Sequence, residues 1–592
     1  MISKISSGRR LAAGSALVVA ALVGTTACGG GSGGGGSKEA NGAAGFNAAV
    51  NKVANPSETK GGTLKFVATQ DADSWDPQRG YYGFMWDFSR YYTRQLITHK
   101  SAPGEASNEL VPDMATDMGK ISEDGKTYTF TLKDGLKWEN GQPVTSKDVK
   151  YGIERIWAQD VISGGPIYLQ QVLDPKNEYP GPYKDTSPDK LGLKAIETPD
   201  DKTITFHLAT PNGDFLQMLA MPSASPVQAA ADTKAKYGLK PLSNGPYKID
   251  EYTPNKSMTL SRNPGWDTKT DGVRKALPDK ITVAFTTNAD DMDNRLIEGE
   301  YDLDLNATGV GQAARAKVIQ QHKGNADNPQ TGFIRYAVFP QTVAPLDNVN
   351  CRKAMIYAAD HSSLQSARGG PQAGGDIAPN MLPPSVKGGD ATYDPYGVLK
   401  DTEGNIAKAK EALAACGKPD GFKTTIAVRN NKPIEIATAE SLQQSLKRVG
   451  IDADIDQFDG AQSSGIIGSP QNVKNKGYGI IIMGWGADFP SGQGFLQPLV
   501  DGRFILQSGN NNFSELNDAS INGLFDKALA EPDPAKAGEL YRTINQKVSD
   551  AAVYLPFTYE KNIIWRGSRL TNVYTADAYN GRYDYASLGV VK

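Results

Sequence analysis

The chain has few of the residues from which metal centres are built. Among 592 residues there are three cysteines and four histidines. The histidines lie far apart in sequence, without the close pairs that are typical of metal-ligand motifs: His99, His207, His322 and His361. The sequence therefore indicates no metal site, although folding can bring distant ligands together, and no cofactor is expected.

An excess of charge of one sign is also missing. Lys and Arg number 63 and Asp and Glu 66, which gives a net charge of −3. This near-neutral balance, without a long basic run, argues against nucleic acid as a partner. Outside the glycine-rich N-terminal segment the chain contains no G-x-S-x-G, H-E-x-x-H or phosphate-loop motif, so no catalytic residue is indicated. An exported hydrolase that uses scattered carboxylates remains an alternative.

The N-terminus has the pattern of an export signal. Basic residues precede an apolar stretch, Leu11–Val23, which is short for a membrane span, and small residues then lead to Cys28 and GGGSGGGGS. This pattern resembles a bacterial lipoprotein signal at residues 1–27, cut before Cys28, which would carry the lipid. An ordinary secretory signal with a chance cysteine is the alternative. Residues 28–60 are predicted to be a disordered Gly/Ser-rich tether.

Two cysteines remain beyond Cys28, namely Cys351 and Cys416. Export to an oxidising exterior makes a disulfide between them plausible. Two unpaired buried thiols are the alternative, because the sequence does not show whether the side chains meet.

Periodicity predicts a mixed α/β chain. An alternating strand begins after Gly61, and a strand, two turn pairs and a helix capped by Thr145 fill residues 127–156. Strands and helices then alternate from 280 to 305 and from 331 to 550, which favours parallel α/β units. An aromatic-rich stretch at residues 81–92 fits packing or a cleft wall.

One stretch, residues 477–499, ends a predicted buried strand in an unusual way. The sequence GYGIIIMGWGADFPSGQGFLQPL leads from Ile480–Met483 through two glycines that flank Trp485 to the carboxylate of Asp488. Asp488 is either a turn aspartate beside a core aromatic or an acid placed to receive a positive charge.

Seven motifs in order resemble the extracellular solute-binding proteins of oligopeptide and dipeptide ABC importers, solute-binding family 5. They span nearly everything from Gly61 to the C-terminus: GGTLKF, TYTFTLKDGLKWENGQPVTSKDVKYGIERI, SNGPYKIDEY, LSRNPGW, LIEGEYDLDL, PLDNVNCRKAMIYAAD and GWGADFPSGQGF.

The resemblance implies a two-lobed periplasmic-binding-protein-like α/β fold, type II, cluster C, with an extra domain inserted in lobe I. The expected organisation is 61–100 in lobe I, 101–231 as the inserted domain, 232–325 in lobe I, 326–550 as lobe II, and 551–592 returning to lobe I. The lobes of such proteins close around a solute without covalent chemistry.

The resemblance also implies binding residues. In peptide-binding members the acid after the G-W motif pairs with the peptide's α-ammonium, and here that acid is Asp488. In dipeptide-binding relatives an arginine at a strand end receives the α-carboxylate, a position held here by Arg429. Trp485 is expected to wall the cleft. Asp488 as a turn residue and Arg429 as a solvated strand-end charge are the alternatives.

The expected function is therefore capture of peptides by a lipid-anchored monomer on the outer face of the cytoplasmic membrane, for delivery to ABC permease subunits. Other members of the family bind oligosaccharides, nickel chelates, glutathione or opines, and these ligands are the alternatives.

Overall fold

Three β-sheets form the framework of the protein. The structure, a computed structural model, describes residues 45–531 and 533–591. The predicted signal peptide, Cys28 and residues 28–44 of the predicted tether lie outside the described residues. Within the described part of the chain, no helix has both the length and the apolar character needed to cross a bilayer.

The first sheet has five strands, and its N-terminal strand lies in the interior. That strand runs parallel to both of its neighbours, Lys280–Phe285 and Leu303–Asp304. The predicted strand–helix–strand unit at 280–305 is therefore a parallel unit, and the N-terminal strand lies between its two strands. In spatial order the strands are Leu303–Asp304, Thr63–Ala68, Lys280–Phe285, Ser257–Arg262 and Tyr247–Thr253. The helices Gly83–Ser89, Ala289–Ile297 and Gln312–Gln321 belong to this part of the chain.

The second sheet has four antiparallel strands. Their spatial order is Lys120–Ile121, Thr127–Thr131, Thr203–His207 and Ile196–Glu197. The helices Ser146–Glu154, Tyr168–Leu173 and Phe215–Leu219 accompany it. Trp138 is fully buried in the core that these elements share.

The third sheet has six strands and mixes both directions. Its order is Asp376–Ile377, Tyr554–Lys561, Gln330–Val338, Tyr478–Gly486, Lys423–Arg429 and Asp452–Phe458. The helices that surround it are Val349–Ala358, His361–Ala367, Gly370–Ala373, Ile406–Ala415, Pro433–Lys447, Ser463–Ile466, Pro470–Lys476, Gly492–Val500, Ala519–Ala530 and Pro534–Ala551.

Short elements complete the fold. Four two-stranded ladders pair Ala326–Asp327 with Ile564–Trp565, Ile97–His99 with Leu110–Pro112, Leu570–Thr571 with Gly589–Val590, and Thr575–Ala576 with Arg582–Tyr583. Turns of 3₁₀-helix lie at Glu105–Asn108, Arg155–Trp157, Pro222–Ala224, Ala229–Ala231, Lys234–Leu239, Thr268–Thr270, Lys323–Asn325, Gly460–Gln462, Gly502–Phe504, Asp577–Tyr579 and Tyr585–Ser587.

Predictions that rest on local signals are confirmed. Thr145 accepts from the backbone N–H of Asp148, whose side chain accepts from the N–H of Thr145, so both open donors of the helix start are satisfied. The predicted alternation at 331–550 is also present, for example where the strand Lys423–Arg429 is followed by the helix Pro433–Lys447.

The predicted tether is too long. Residues 45–57 pack onto the body of the protein, with Ala49 and Ala54 buried. Ala54 pairs with Val573, and the Ala49 N–H donates to Asp327 at 3.0 Å. Because small residues join the body here mainly through backbone hydrogen bonds, composition does not reveal the contact.

The expected start of the returning segment at 551 also needs correction. The strand Tyr554–Lys561 pairs with Gln330–Val338 in the six-stranded sheet. Only from Ile564 onward does the chain join the core of the five-stranded sheet, through Leu570, Val573 and neighbouring residues. A tyrosine-rich strand pattern shows that a strand exists but not which sheet it joins.

Cys351 and Cys416 form a disulfide with their Cα atoms 5.4 Å apart. Cys351 lies in the helix Val349–Ala358, and Cys416 is the C-cap of the helix Ile406–Ala415. The bond closes a long loop, since 65 positions separate the two residues.

We expect reduction of this disulfide to lower the free energy of unfolding by about 2–4 kcal/mol, because a long loop gains chain entropy in the unfolded state. Denaturant unfolding with and without dithiothreitol measures the change. A Cys351→Ala, Cys416→Ala double variant is the control, since its stability should not respond to the reductant. An equal response of both proteins would contradict the prediction.

Candidate functional site

The strand Tyr478–Gly486 lies inside the six-stranded sheet and carries the candidate site at its end. It runs parallel to Lys423–Arg429 on one side and antiparallel to Gln330–Val338 on the other. Ligands of open α/β sheets bind in the crevice at the carboxyl ends of parallel strands. Trp485, Asp488 and Arg429 are all at or just beyond that end.

The two glycines that flank Trp485 are required by large side chains on the neighbouring strand. A Cβ atom at Gly484 would lie 2.5 Å from Nη1 of Arg335, and one at Gly486 would lie 2.7 Å from the ring of Phe333. The glycines therefore leave room for Arg335 and Phe333 to cross the strand end.

Trp485 lies between these glycines and is half-buried. It packs against the core under the six-stranded sheet. Its buried Nε1 has no hydrogen-bond partner among the described residues.

Asp488 lies where the surroundings of all three sheets meet. The hydroxyl of Tyr81, just before the helix Gly83–Ser89, donates to its Oδ2 at 2.5 Å. The hydroxyl of Tyr168, the first residue of its helix in the four-stranded part, donates to the same oxygen at 2.5 Å. Ring contacts with Trp86 and Phe489 hold these tyrosines in place.

Burial raises the pKa of Asp488 to about 6 from its ordinary value of 3.8, against the two tyrosine hydrogen bonds, which lower it. The residue also lines a small pocket that is open to solvent. Trp86, Met221 and Tyr579 supply much of the apolar wall, and the buried polar residues Gln95 and His99 lie among the other lining residues. A desolvated carboxylate beside a pocket is suited to a cationic ligand group, because the cation would restore its charged form.

Arg429 ends its strand as predicted, with a side chain that is 20% exposed. It already has a partner, since its Nε donates to Glu435 at 2.8 Å and its Nη2 donates to the other oxygen of the same carboxylate. Arg429 is therefore not a solvated strand-end charge. A ligand carboxylate that bound its guanidinium would share that group with Glu435.

A second contact joins the four-stranded part to the six-stranded part. Ser491, which caps the helix Gly492–Val500, donates its hydroxyl to Asp214. The hydroxyl of Tyr541 lies 3.4 Å from the same carboxylate, and the Gly213 N–H donates to the Leu529 carbonyl at 2.8 Å. These contacts and those of Asp488 hold the two parts together over the site.

Sequence reasoning missed several residues of the site. Tyr168, Asp214 and Glu435 gave no local signal, because their roles depend on long-range contacts. Arg335 did give one, since it is a charged residue within the otherwise apolar run GFIRYAVF. Within the described residues, no group of His, Cys, Asp or Glu side chains is arranged to hold a metal ion.

Comparisons with known proteins agree with this geometry. A family model described as "Bacterial extracellular solute-binding proteins, family 5 Middle" matches residues 109–505. The solved structure of clavulanic acid biosynthesis oligopeptide binding protein 2 is 40% identical, with a TM-score of 0.89, and the match covers 93% of this chain and 99% of that one.

Two further relatives are more distant in sequence. The oligopeptide-binding protein OppA of Bacillus subtilis (strain 168) is 27% identical over 472 residues, 76% of this chain and 79% of the relative. Heme-binding protein A of Haemophilus influenzae is 25% identical over 476 residues, 77% of this chain and 80% of the relative. The mixed α/β fold matches the cluster C periplasmic binding proteins, as predicted.

We expect Gly484→Ala to destabilise the protein by about 1–3 kcal/mol, because the added methyl group displaces the guanidinium of Arg335 or the strand itself. Gly523→Ala is the matched control, since nothing lies within 4 Å of a Cβ there and the residue is inside the helix Ala519–Ala530. Denaturant unfolding of both variants measures the effect. Equal stabilities would contradict the role assigned to Gly484.

We expect Asp488 to make the ligand-free protein less stable as the pH rises. The pKa of Asp488 is higher in the folded protein than in the unfolded chain. Its contribution to the free energy of unfolding is therefore complete below pH 3.8, the unfolded pKa, and is lost as the pH rises through the folded pKa of about 6. Asp488→Asn cannot ionise, so the variant should gain about 1–3 kcal/mol relative to wild type between about pH 4 and pH 7. Unfolding of both proteins across this range gives the difference, and a difference independent of pH would contradict the assignment.

Proposed function

Because the chain belongs to the bacterial extracellular solute-binding proteins of family 5, we propose that it captures peptides outside the cytoplasm and passes them to an ABC importer. The proteins of this family bind solutes without enzymatic chemistry. The free energy of ligand binding then drives closure of the two lobes.

The observation that carries the proposal is the position of Asp488. Its carboxylate is half-buried, lines a pocket and is held by hydroxyls from two other parts of the chain. A peptide always offers an α-ammonium group, whatever its sequence. That group would pair with Asp488 and favour its ionised form, while Tyr81 and Tyr168 fix the carboxylate in place.

The other end of the peptide is assigned to Arg429. Its guanidinium lies at the carboxyl end of its strand, is partly exposed, and is oriented by Glu435. A guanidinium binds a carboxylate through two parallel hydrogen bonds, so an acid and an arginine at the ends of one cleft recognise peptides generically. Trp485 would form the wall between them.

The proposal extends to how the protein is organised and where it works. The five-stranded sheet would form lobe I, the four-stranded part its inserted domain, and the six-stranded sheet lobe II. Cys28 would carry the lipid that holds a monomer at the outer face of the cytoplasmic membrane, close to the permease.

We expect N-acetylation of a tripeptide to weaken its binding by about tenfold or more, because a charge-assisted hydrogen bond contributes roughly 1.5–3 kcal/mol. Isothermal titration calorimetry with free and acetylated Ala-Ala-Ala measures the difference. Asp488→Asn is the diagnostic variant, since it should bring the two affinities together by weakening only the free peptide.

Equal affinity of wild type for the two peptides would remove Asp488 from the site. The peptide class itself is tested by native mass spectrometry of the purified protein, in which any retained ligand should be a peptide. A retained tetrapyrrole or sugar would overturn the proposal.

A further inference from the structure

A group of charged side chains, the arginine cluster, lies at the ends of the strands of the six-stranded sheet. Arg335 is paired across the sheet with Gly484, next to Trp485, and Arg429 ends the parallel strand on the other side of Tyr478–Gly486. The members of the cluster are Arg335, Arg368, Arg429, Lys432, Glu435 and Glu560. The cluster therefore lies at the crevice already assigned to the ligand.

The two carboxylates of the cluster are fully engaged. Glu560 accepts from Nε of Arg335 at 2.7 Å and from the Thr331 hydroxyl at 3.1 Å, and Nη2 of Arg368 lies 3.6 Å from it. Glu435 accepts from Arg429 through both oxygens. Four cationic groups thus face two anionic groups, which leaves a surplus of two positive charges.

Part of this surplus, the charge of Arg368, lies in poorly hydrated surroundings, whereas Lys432 is exposed to solvent. Arg368 is only 5% exposed, and its Nε has no hydrogen-bond partner among the described residues. Burial and the neighbouring Arg335 lower the pKa of Arg368 to about 10, and burial and Arg429 lower the pKa of Lys432. Buried positive charge without a counter-ion is unfavourable, so the cluster is electrostatically incomplete by itself.

The surplus is nevertheless within reach of a ligand. The side chains of Arg335 and Arg429 are 22% and 20% exposed. Among the described residues, Arg335 uses only its Nε in hydrogen bonds, so its terminal nitrogens remain available. The missing methyl group of Gly484 is what leaves space for this guanidinium.

We propose that the arginine cluster is an anion subsite for a second carboxylate of the ligand, so that peptides ending in Asp or Glu are preferred. The inference rests on the proposed peptide-binding function. One α-carboxylate at Arg429 would neutralise half of the surplus. An acidic side chain on the same terminal residue would reach Arg335 and neutralise the rest, in the bidentate geometry that guanidinium groups favour.

Calorimetry with the matched peptides Ala-Ala-Glu and Ala-Ala-Gln tests the proposal. Wild type should bind the Glu peptide about tenfold more tightly or better, because one charge-assisted hydrogen bond accounts for such a ratio. The ratio should fall with added salt. Arg335→Gln should abolish the ratio and Arg335→Lys should keep part of it.

Arg542→Gln is the matched control, because Arg542 pairs with Glu539 on the surface of the helix Pro534–Ala551. It should keep the wild-type ratio. Equal affinity of wild type for the two peptides would overturn the anion subsite and leave peptide binding intact, and a full ratio in Arg335→Gln would also overturn it. Failure of wild type to bind either peptide would overturn the proposed function, and the subsite with it. The comparison of the two peptides uses the wild-type protein alone, so its outcome does not depend on whether a variant folds.

Discussion

A single half-buried carboxylate, that of Asp488, joins three parts of this protein. Its contacts come from all three sheet regions, and burial raises its pKa to about 6. A carboxylate in that position is stable only with a proton or with a cation beside it. Tyr81 and Tyr168 satisfy its hydrogen bonds but add no positive charge. These surroundings therefore suit a ligand that carries a cationic group.

The six-stranded sheet presents the opposite imbalance. In the part of the chain that the structure describes, the cations around Arg429 outnumber the carboxylates, and Nε of the buried Arg368 has no hydrogen-bond partner. The strand Tyr478–Gly486 thus leads to a half-buried acid, and the strands on either side of it carry the guanidinium groups of Arg335 and Arg429. Under the proposed function, a zwitterionic peptide with its charges at its two ends would compensate both imbalances.

Local signals in the sequence predicted most strands and helices, because periodicity and caps act over a few residues. The Thr145 capping box and the strand ending at Arg429 are examples. Contacts between distant segments were not predictable in this way. The packing of Ala49 and Ala54 and the partner of Tyr554–Lys561 depend on backbone pairing that many sequences allow. The site residues followed from a family resemblance, whereas their tyrosine and glutamate partners did not.

The packed segment 45–57 determines where the preceding chain is attached to the folded part of the protein. Through Ala54 and Ala49 it is fastened to the strands around Val573 and to Asp327, beside the core of the five-stranded sheet. Any force carried along the preceding chain enters the protein at that point. In the lobe closure of the proposed function, the region that contains Arg429 and Trp485 would therefore move relative to the point at which the preceding chain is attached.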